Sequence, residues 1–287
     1  MIPQSIEESI SDKLNIRVTG FSASGGGCIS NGGRVSTTGG NFFIKWNSLK
    51  RFPGMFVAEE KGLKLLADTH TLRLPKTVLT SEVEDWQYIL MEFINNGTQG
   101  NRLWATLGEQ LASLHQHTYS KFGLDHDNYI GSLNQNNSFT ESWIDFFIEC
   151  RLAPQLQLLR DSNRVDTKFV DALESLYPKL GELLPAQSPA LLHGDLWSGN
   201  VIMGKSDLFV IDPAVYYGNR EIEISFTRLF GGFDSSFYDA YAHHFPLLPG
   251  FDQRIDLYNL YPLLVHANLF GQSYVSRISA ILNKYAD

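Results

Sequence analysis

The sequence predicts an α+β fold of two lobes: a five-stranded antiparallel sheet with one helix over residues 1–94, and a mainly helical lobe over 95–287. Three observations carry this. Short β-patterned runs separated by glycine turns crowd the first third of the chain, apolar residues recur at helical spacing from Asn101 onward, and the turn-rich Asn95-Asn96-Gly97 marks the change.

Ile2, Ile6, Ile10 and Leu14 fall on one helical face, and Ser5 followed by Glu8 has the form of a capping box, so the chain is expected to open with an amphipathic helix. Three β-patterned runs follow, at 16–22, 29–37 and 41–46. Ser24-Gly25-Gly26-Gly27 and Thr38-Gly39-Gly40 separate them, which reads as an antiparallel meander. A helix is expected over 53–68, with Phe56, Leu63, Leu65 and Leu66 apolar, and strands over 77–80 and 86–93 complete the sheet. Beyond the boundary, Leu103, Leu107, Leu111 and Leu114 share a face, and helices are expected over 139–161 and 166–184. Leu191-Leu192-His193-Gly194-Asp195 then interrupts the helical pattern. The apolar runs Val201-Ile202-Met203 and Leu208-Phe209-Val210-Ile211, the latter ending at Asp212, read as short buried strands around a loop before helices resume.

With 287 residues, 43% of them apolar, the chain has material for a large core. A net charge of -8 and a pI near 5.5 argue against nucleic acid or an anionic membrane as partner, since either calls for surplus Lys and Arg. Residues 1–14 interleave Glu7, Glu8 and Asp12 with isoleucines, unlike a signal peptide, and no run approaches the roughly 18 apolar residues of a membrane span. A cytoplasmic location is therefore expected. Cys28 and Cys150 lie far apart without ligand-spaced His or Cys neighbours, so both are expected to be free thiols.

The chemistry is concentrated in His193-Gly194-Asp195-Leu196-Trp197-Ser198-Gly199-Asn200 and in Asp212, twelve residues beyond Asn200 at the end of an apolar run. This is the H-x-D-x-x-x-x-N spacing of a kinase catalytic loop followed by a magnesium-binding aspartate. A carboxylate such as Asp195 can take the proton of an attacking hydroxyl, and Asn200 and Asp212 offer the oxygen donors that magnesium prefers. The competing reading is that Asp195 and Asn200 close a turn and Asp212 caps a helix. Lys45, within the apolar run Phe42-Phe43-Ile44, precedes Glu59 on the expected helix by fourteen residues. That is the order of the lysine that contacts ATP phosphates and the glutamate that orients it, although Lys45 could snorkel and Glu59 could be a solvated face. Gly25, Gly26, Gly27 and Cys28 lie between the first two strands, where backbone N–H groups can approach phosphate; hairpins also use such glycines. Met91, Glu92 and Phe93, at the end of the fifth strand, are expected to meet adenine, against the alternative of an ordinary strand end.

HGDLWSGN at 193–200 and DPAVYYGNR at 212–220 are similar to the fructosamine (ketosamine) kinase family. FGLDHDNYIG at 122–131, Gln135, Asn137, the Trp143-Ile144-Asp145-Phe146-Phe147 run and Arg151-Leu152-Ala153-Pro154-Gln155 extend the resemblance over nearly the whole chain. It implies a bilobal protein-kinase-like fold of the aminoglycoside-phosphotransferase type. It also implies ATP- and magnesium-dependent phosphorylation of the 3-hydroxyl of ketosamines, free or on protein lysines, which leads to deglycation. Asp195 would be the base, Asn200 and Asp212 the metal ligands, Lys45 and Glu59 the phosphate-orienting pair, and Met91, Glu92 and Phe93 the adenine hinge. The chain departs from the family at Asn219, where His is frequent, and at Leu133 or Asn134, where Pro is frequent; substrate preference is what these put in doubt.

Trp197, Tyr217 and Trp143 are expected at the sugar-amine pocket, because aromatic faces stack on sugars and attract ammonium groups. For Trp143 a core position competes, given Phe146 and Phe147 at helical spacing. Glu221 and Glu223 would add negative charge near a cationic acceptor, or would complement the dipole of a helix start. Cys28 in a phosphate-cradling loop would be oxidation-prone, so a monomer with a redox-dependent dimer through Cys28 is expected, against the alternative of a small buried filler. Two rival readings remain: a choline or aminoglycoside kinase of the same fold, and a non-catalytic nucleotide-binding scaffold.

Overall fold

The computed structural model describes residues 1–24, 31–95, 97 and 102–285. The chain forms two compact units, Met1–Leu103 with Val201–Asp212, and Trp104–Asn200 with Pro213–Asp287.

The first unit opens with α1 (Gln4–Leu14), whose Ile6 and Ile10 are buried. The expected capping box does not form. Pro3 is the N-cap, its carbonyl takes the N–H groups of Ile6 and Glu7, and Ser5 lies inside the first turn. Proline's fixed φ already suits a helix start, so the side-chain cap is dispensable. The sheet is antiparallel in the order β1-β2-β3-β5-β4: β1 (Val18–Ala23), β2 (Asn31–Thr37), β3 (Gly40–Ser48), β4 (Thr77–Val83) and β5 (Trp86–Glu92). α2 (Met55–Asp68) joins β3 to β4. Alternation along β3 sends Ile44 and Trp46 into a core with Ile2, Ile6, Ile10, Val35, Tyr88 and Leu90, where the Tyr88 hydroxyl also meets Ser9 Oγ at 2.8 Å. Lys45 is thereby left on the opposite face. A distant hairpin, β9 (Val201–Met203) with β10 (Leu208–Val210), completes this unit; Val210 N–H donates to Arg73 O at 2.9 Å.

The second unit is mainly helical. α3 (Leu103–Leu114) leads through the small hairpin β6 (Asn128–Ile130) and β7 (Leu133–Gln135) to the expected helix at 139–161. That helix is observed as α4 (Trp143–Phe146), a π-helical turn Phe147–Leu152, and α5 (Ala153–Asp161). The next expected helix is divided by a 3₁₀ turn at Tyr177–Lys179 into α6 (Thr167–Leu176) and α7 (Leu180–Leu183), where Pro178 removes a helix donor. β8 (Ala190–Leu192) pairs with β11 (Tyr216–Gly218). After β11 come α8 (Arg220–Leu229), α9 (Ser235–His244), α10 (Phe251–Tyr258), α11 (Leu260–Phe270) and α12 (Ser273–Leu282). None of the described helices is long and apolar enough to cross a membrane.

Candidate active site

In the first unit Lys45 Nζ lies 2.6 Å from Glu59 Oε1 and 3.0 Å from Asp212 Oδ1. β3 aims the lysine off the core face, α2 brings Glu59 to it, and the β9–β10 hairpin delivers Asp212 from far along the sequence. Burial pulls the Lys45 pKa down, but the charges of Asp212 and Glu59 and hydrogen bonds to both raise it above its ordinary value. This cation persists throughout the neutral range. Asp212 sits at φ 56°, a left-handed conformation unusual for a non-glycine residue. At the end of β5 the Glu92 N–H is committed to Lys76 O at 2.8 Å, so it is not the group that could meet a base edge. Gly25, Gly26, Gly27 and Cys28 lie outside the described residues.

In the second unit Asn200 is buried and donates Nδ2 to Asp195 O at 2.8 Å and to Asp195 Oδ2 at 3.0 Å. The side chain that spacing marked as a metal ligand thus also fixes the carboxylate marked as a base, and keeps Oδ1 as an oxygen donor. Gly194 has φ 86°, and a Cβ there would stand 2.0 Å from Ala214 O, so only glycine lets this loop lie against the segment between Asp212 and β11.

The loop is held from beneath by Glu223 of α8. Its carboxylate accepts Gly194 N–H at 2.6 Å, His193 N–H at 3.1 Å and His115 Nε2–H at 2.9 Å. A carboxylate only accepts, so neutral His115 must carry its proton on Nε2; Nδ1 then accepts from the Tyr241 hydroxyl at 2.8 Å, whose oxygen accepts from Arg220 Nη1 at 3.0 Å. Glu221, by contrast, is tied to Arg254 at 2.7 and 2.8 Å. Both acids of α8 are buried, and each carries defined partners of its own.

A small cavity opens beside the loop, lined by Asp195, Ile130, Tyr216, Phe226, Tyr261 and His266 among others. His266 Nδ1–H donates to Pro262 O at 2.7 Å, which leaves Nε2 as an acceptor, and burial lowers its pKa. Its ring packs 4.7 Å from Phe230, which in turn meets Trp197 edge-on at 6.1 Å. Of the expected pocket aromatics, Trp197 therefore joins this cluster. Trp143 does not: it is buried in the core between Phe122, Phe146, Phe147 and Tyr258. Tyr217 stacks on Tyr119 at 5.0 Å, while strand alternation gives the cavity Tyr216 instead. Sequence reading missed His115, His266 and Tyr261, none of which lies in a spaced motif, and within the 212–220 run it singled out Tyr217 where the cavity takes Tyr216.

A pH dependence follows from the buried groups. Burial lowers the His115 pKa against the opposing pull of Glu223. Burial raises that of Glu223, but the hydrogen bonds it accepts from His115 and from the Gly194 amide bring it below its ordinary value. An unfolded chain takes protons at its histidines below about pH 6.5, whereas folded His115 and His266 take theirs only at lower pH. Stability from these groups is therefore fully present above that pH and lost as pH falls, with Glu223 adding a loss at lower pH. Urea unfolding between pH 7.5 and pH 5 (about the range set by the histidines) is expected to slope by up to about 1.4 kcal/mol per pH unit per histidine. A flat profile would contradict the neutral assignment.

Comparison with known proteins agrees along the whole chain. A Synechocystis protein assigned as a ketoamine kinase is 40% identical over 263 residues, covering 90% of this chain and 88% of that protein. A chloroplastic protein-ribulosamine 3-kinase of Arabidopsis thaliana is 38% identical over 277 residues, covering 94% and 83%. Among solved structures, a Haemophilus somnus protein assigned as a fructosamine-3-kinase superposes with a TM-score of 0.89 at 28% identity, covering 99% and 97%. An aminoglycoside phosphotransferase in ternary complex with AMP-PNP and hygromycin B gives 0.70 at 17% identity, covering 99% of each chain, a likeness of fold alone. A sequence model described as fructosamine kinase matches residues 2–287, and the chain belongs to that family.

Proposed function

We propose that the protein transfers the γ-phosphoryl group of ATP to the 3-hydroxyl of ketosamines, fructosamine or ribulosamine adducts of amines or protein lysines, and so begins their deglycation. The observation that carries this is the largely buried Lys45, held charged by Glu59 and Asp212 in a chain of the fructosamine kinase family. Lys45 would neutralise phosphate charge, with Glu59 fixing its direction. Asp195, held by Asn200, would orient the acceptor hydroxyl and take its proton. Asn200 Oδ1 and the partly exposed carboxylate of Asp212 are hard oxygen donors of the kind magnesium takes alongside phosphate oxygens, and magnesium would supply charge neutralisation there. Gly25, Gly26, Gly27 and Cys28 would cradle the phosphates, and Phe93 would contact adenine. The aromatic cluster of Trp197, Phe230 and His266 suits a polyhydroxylated acceptor, since aromatic faces stack on sugar C–H faces and His266 Nε2 can accept from a hydroxyl.

The test is turnover with ATP and magnesium on ribuloselysine, fructoselysine, choline and an aminoglycoside, with phosphorus NMR to locate the phosphate. Phosphorylation of a ketosamine at the 3-hydroxyl is the expected result. Turnover confined to choline or the aminoglycoside would overturn the acceptor assignment, and no turnover on any would favour a scaffold.

A further inference from the structure

Arg151 is fully buried, and no carboxylate pairs with it among the described residues. Such a cation is costly to desolvate. Its edge is met by oxygens, with Nη1 donating to Asn136 O at 2.6 Å and Cys150 O at 3.0 Å, and Nη2 to Asn137 Oδ1 at 2.8 Å. Its faces are met by rings: the Tyr216 centroid lies 4.0 Å from Cζ, that of Phe146 4.4 Å and that of Tyr261 5.4 Å. Nε has no partner among the described residues. The residue stands in the π-helical turn Phe147–Leu152, a rare geometry that occurs frequently at functional sites.

The same rings reach the cavity. Tyr216 and Tyr261 both touch the guanidinium and both line the space beside Asp195. Tyr261 is further fixed by donating its hydroxyl to Gln135 Oε1 at 2.5 Å. Gln135 Nε2 in turn donates to Asn128 Oδ1 and Ala214 O, and Asn128 Nδ2 to Val215 O, so a polar network ties the cage to the segment that leads into β11. We infer that Arg151 is a positioning residue for acceptor specificity: it sets the two tyrosine rings that wall the cavity at Asp195. This role rests on the phosphoryl-transfer reading above. A planar guanidinium can stack on a ring face while donating in its own plane, which lysine cannot do and methionine cannot attempt.

Arg151→Met and Arg151→Lys are to be assayed beside wild type, with separate KM values for fructoselysine or ribuloselysine and for ATP. A merely structural role would lower the folded fraction, and with it the apparent kcat and melting temperature, while leaving both KM values unchanged. The expected result is a rise in acceptor KM of about tenfold, on the scale of lost aromatic contacts, with the KM for ATP within about twofold. Arg151→Met replaces the cation by an apolar chain of similar length; should it fail to fold, Arg151→Lys decides. Tyr261→Phe, which cuts only the bond to Gln135, is expected to raise acceptor KM by a smaller factor and decides if neither Arg151 variant folds. Active wild type beside variants of unchanged acceptor KM, or of equally shifted KM values, overturns this role alone. A wild type inactive on every ketosamine overturns the function reading and this role with it.

Discussion

Asp195→Asn is expected to lower kcat for ketosamine phosphorylation by roughly 10²–10⁴-fold, the range of a lost general base, while ATP affinity stays within about twofold. The substitution isolates proton acceptance because asparagine keeps the shape and its Oδ1 still accepts from Asn200 Nδ2, now at 3.0 Å from Asp195 Oδ2. Folding should survive: Asp195 is only partly buried, and the loop is held through the Glu223 bonds to the His193 and Gly194 amides. Single-turnover phosphate transfer, nucleotide titration and thermal unfolding are the three measurements. Near-normal transfer would remove Asp195 from the chemistry. Loss of nucleotide binding in step with transfer would reassign it to holding ATP.

What the sequence disclosed, and what it withheld, separates along one physical line. That Lys45 meets Glu59 and that Asn200 meets Asp195 was legible because these residues stand in the spaced pattern that phosphoryl chemistry would call for. The five strands and α1 and α2 were legible because their apolar periodicity is strong over several residues. His115, His266 and Tyr261 were not: His266 and Tyr261 lie on α11, whose apolar period accommodates a buried polar residue without interruption, His115 stands in the turn just after α3, and the partners of His115 and Tyr261 are remote in sequence. The π-helical turn at Phe147–Leu152 was hidden for a related reason. One extra residue per turn leaves composition unchanged, and the rings that enclose the Arg151 guanidinium meet it only after folding. Tyr216 and Tyr217 show the sensitivity of strands: a one-residue error in register exchanges the cavity face for the outer face. Nothing in the local pattern marks the β9–β10 hairpin as part of the first unit either, since β-propensity does not say which neighbour a strand will join.

Glu223→Gln is expected to produce the largest combined effect, and the argument is one of counting donors. Glu223 receives three N–H groups, from Gly194, His193 and His115, on two oxygens that only accept. Glutamine offers one accepting oxygen, and its amide nitrogen must then face at least one of those donors. If it faces Gly194, the 193–200 loop loses its shortest tether. If it faces His115, that ring can change tautomer, but the His193 N–H is still opposed, and the Tyr241 hydroxyl loses its acceptor at Nδ1. Breaking a buried charge-assisted set of this kind costs about 3–5 kcal/mol, and the displaced Gly194 moves its neighbour Asp195 off line. Both the melting temperature and kcat are therefore expected to fall, kcat by more than the folded fraction at the assay temperature accounts for. His115→Gln should behave differently, because its amide can still donate to Glu223 and leaves the two backbone bonds in place. It is expected to keep most of the wild-type kcat while removing part of the stability slope between neutral and acid pH. Amide exchange at His193 and Gly194 supplies the independent readout. Protection lost in Glu223→Gln and retained in His115→Gln would identify the carboxylate, and not the histidine behind it, as the group that holds the loop; equal protection in both would place the tether elsewhere.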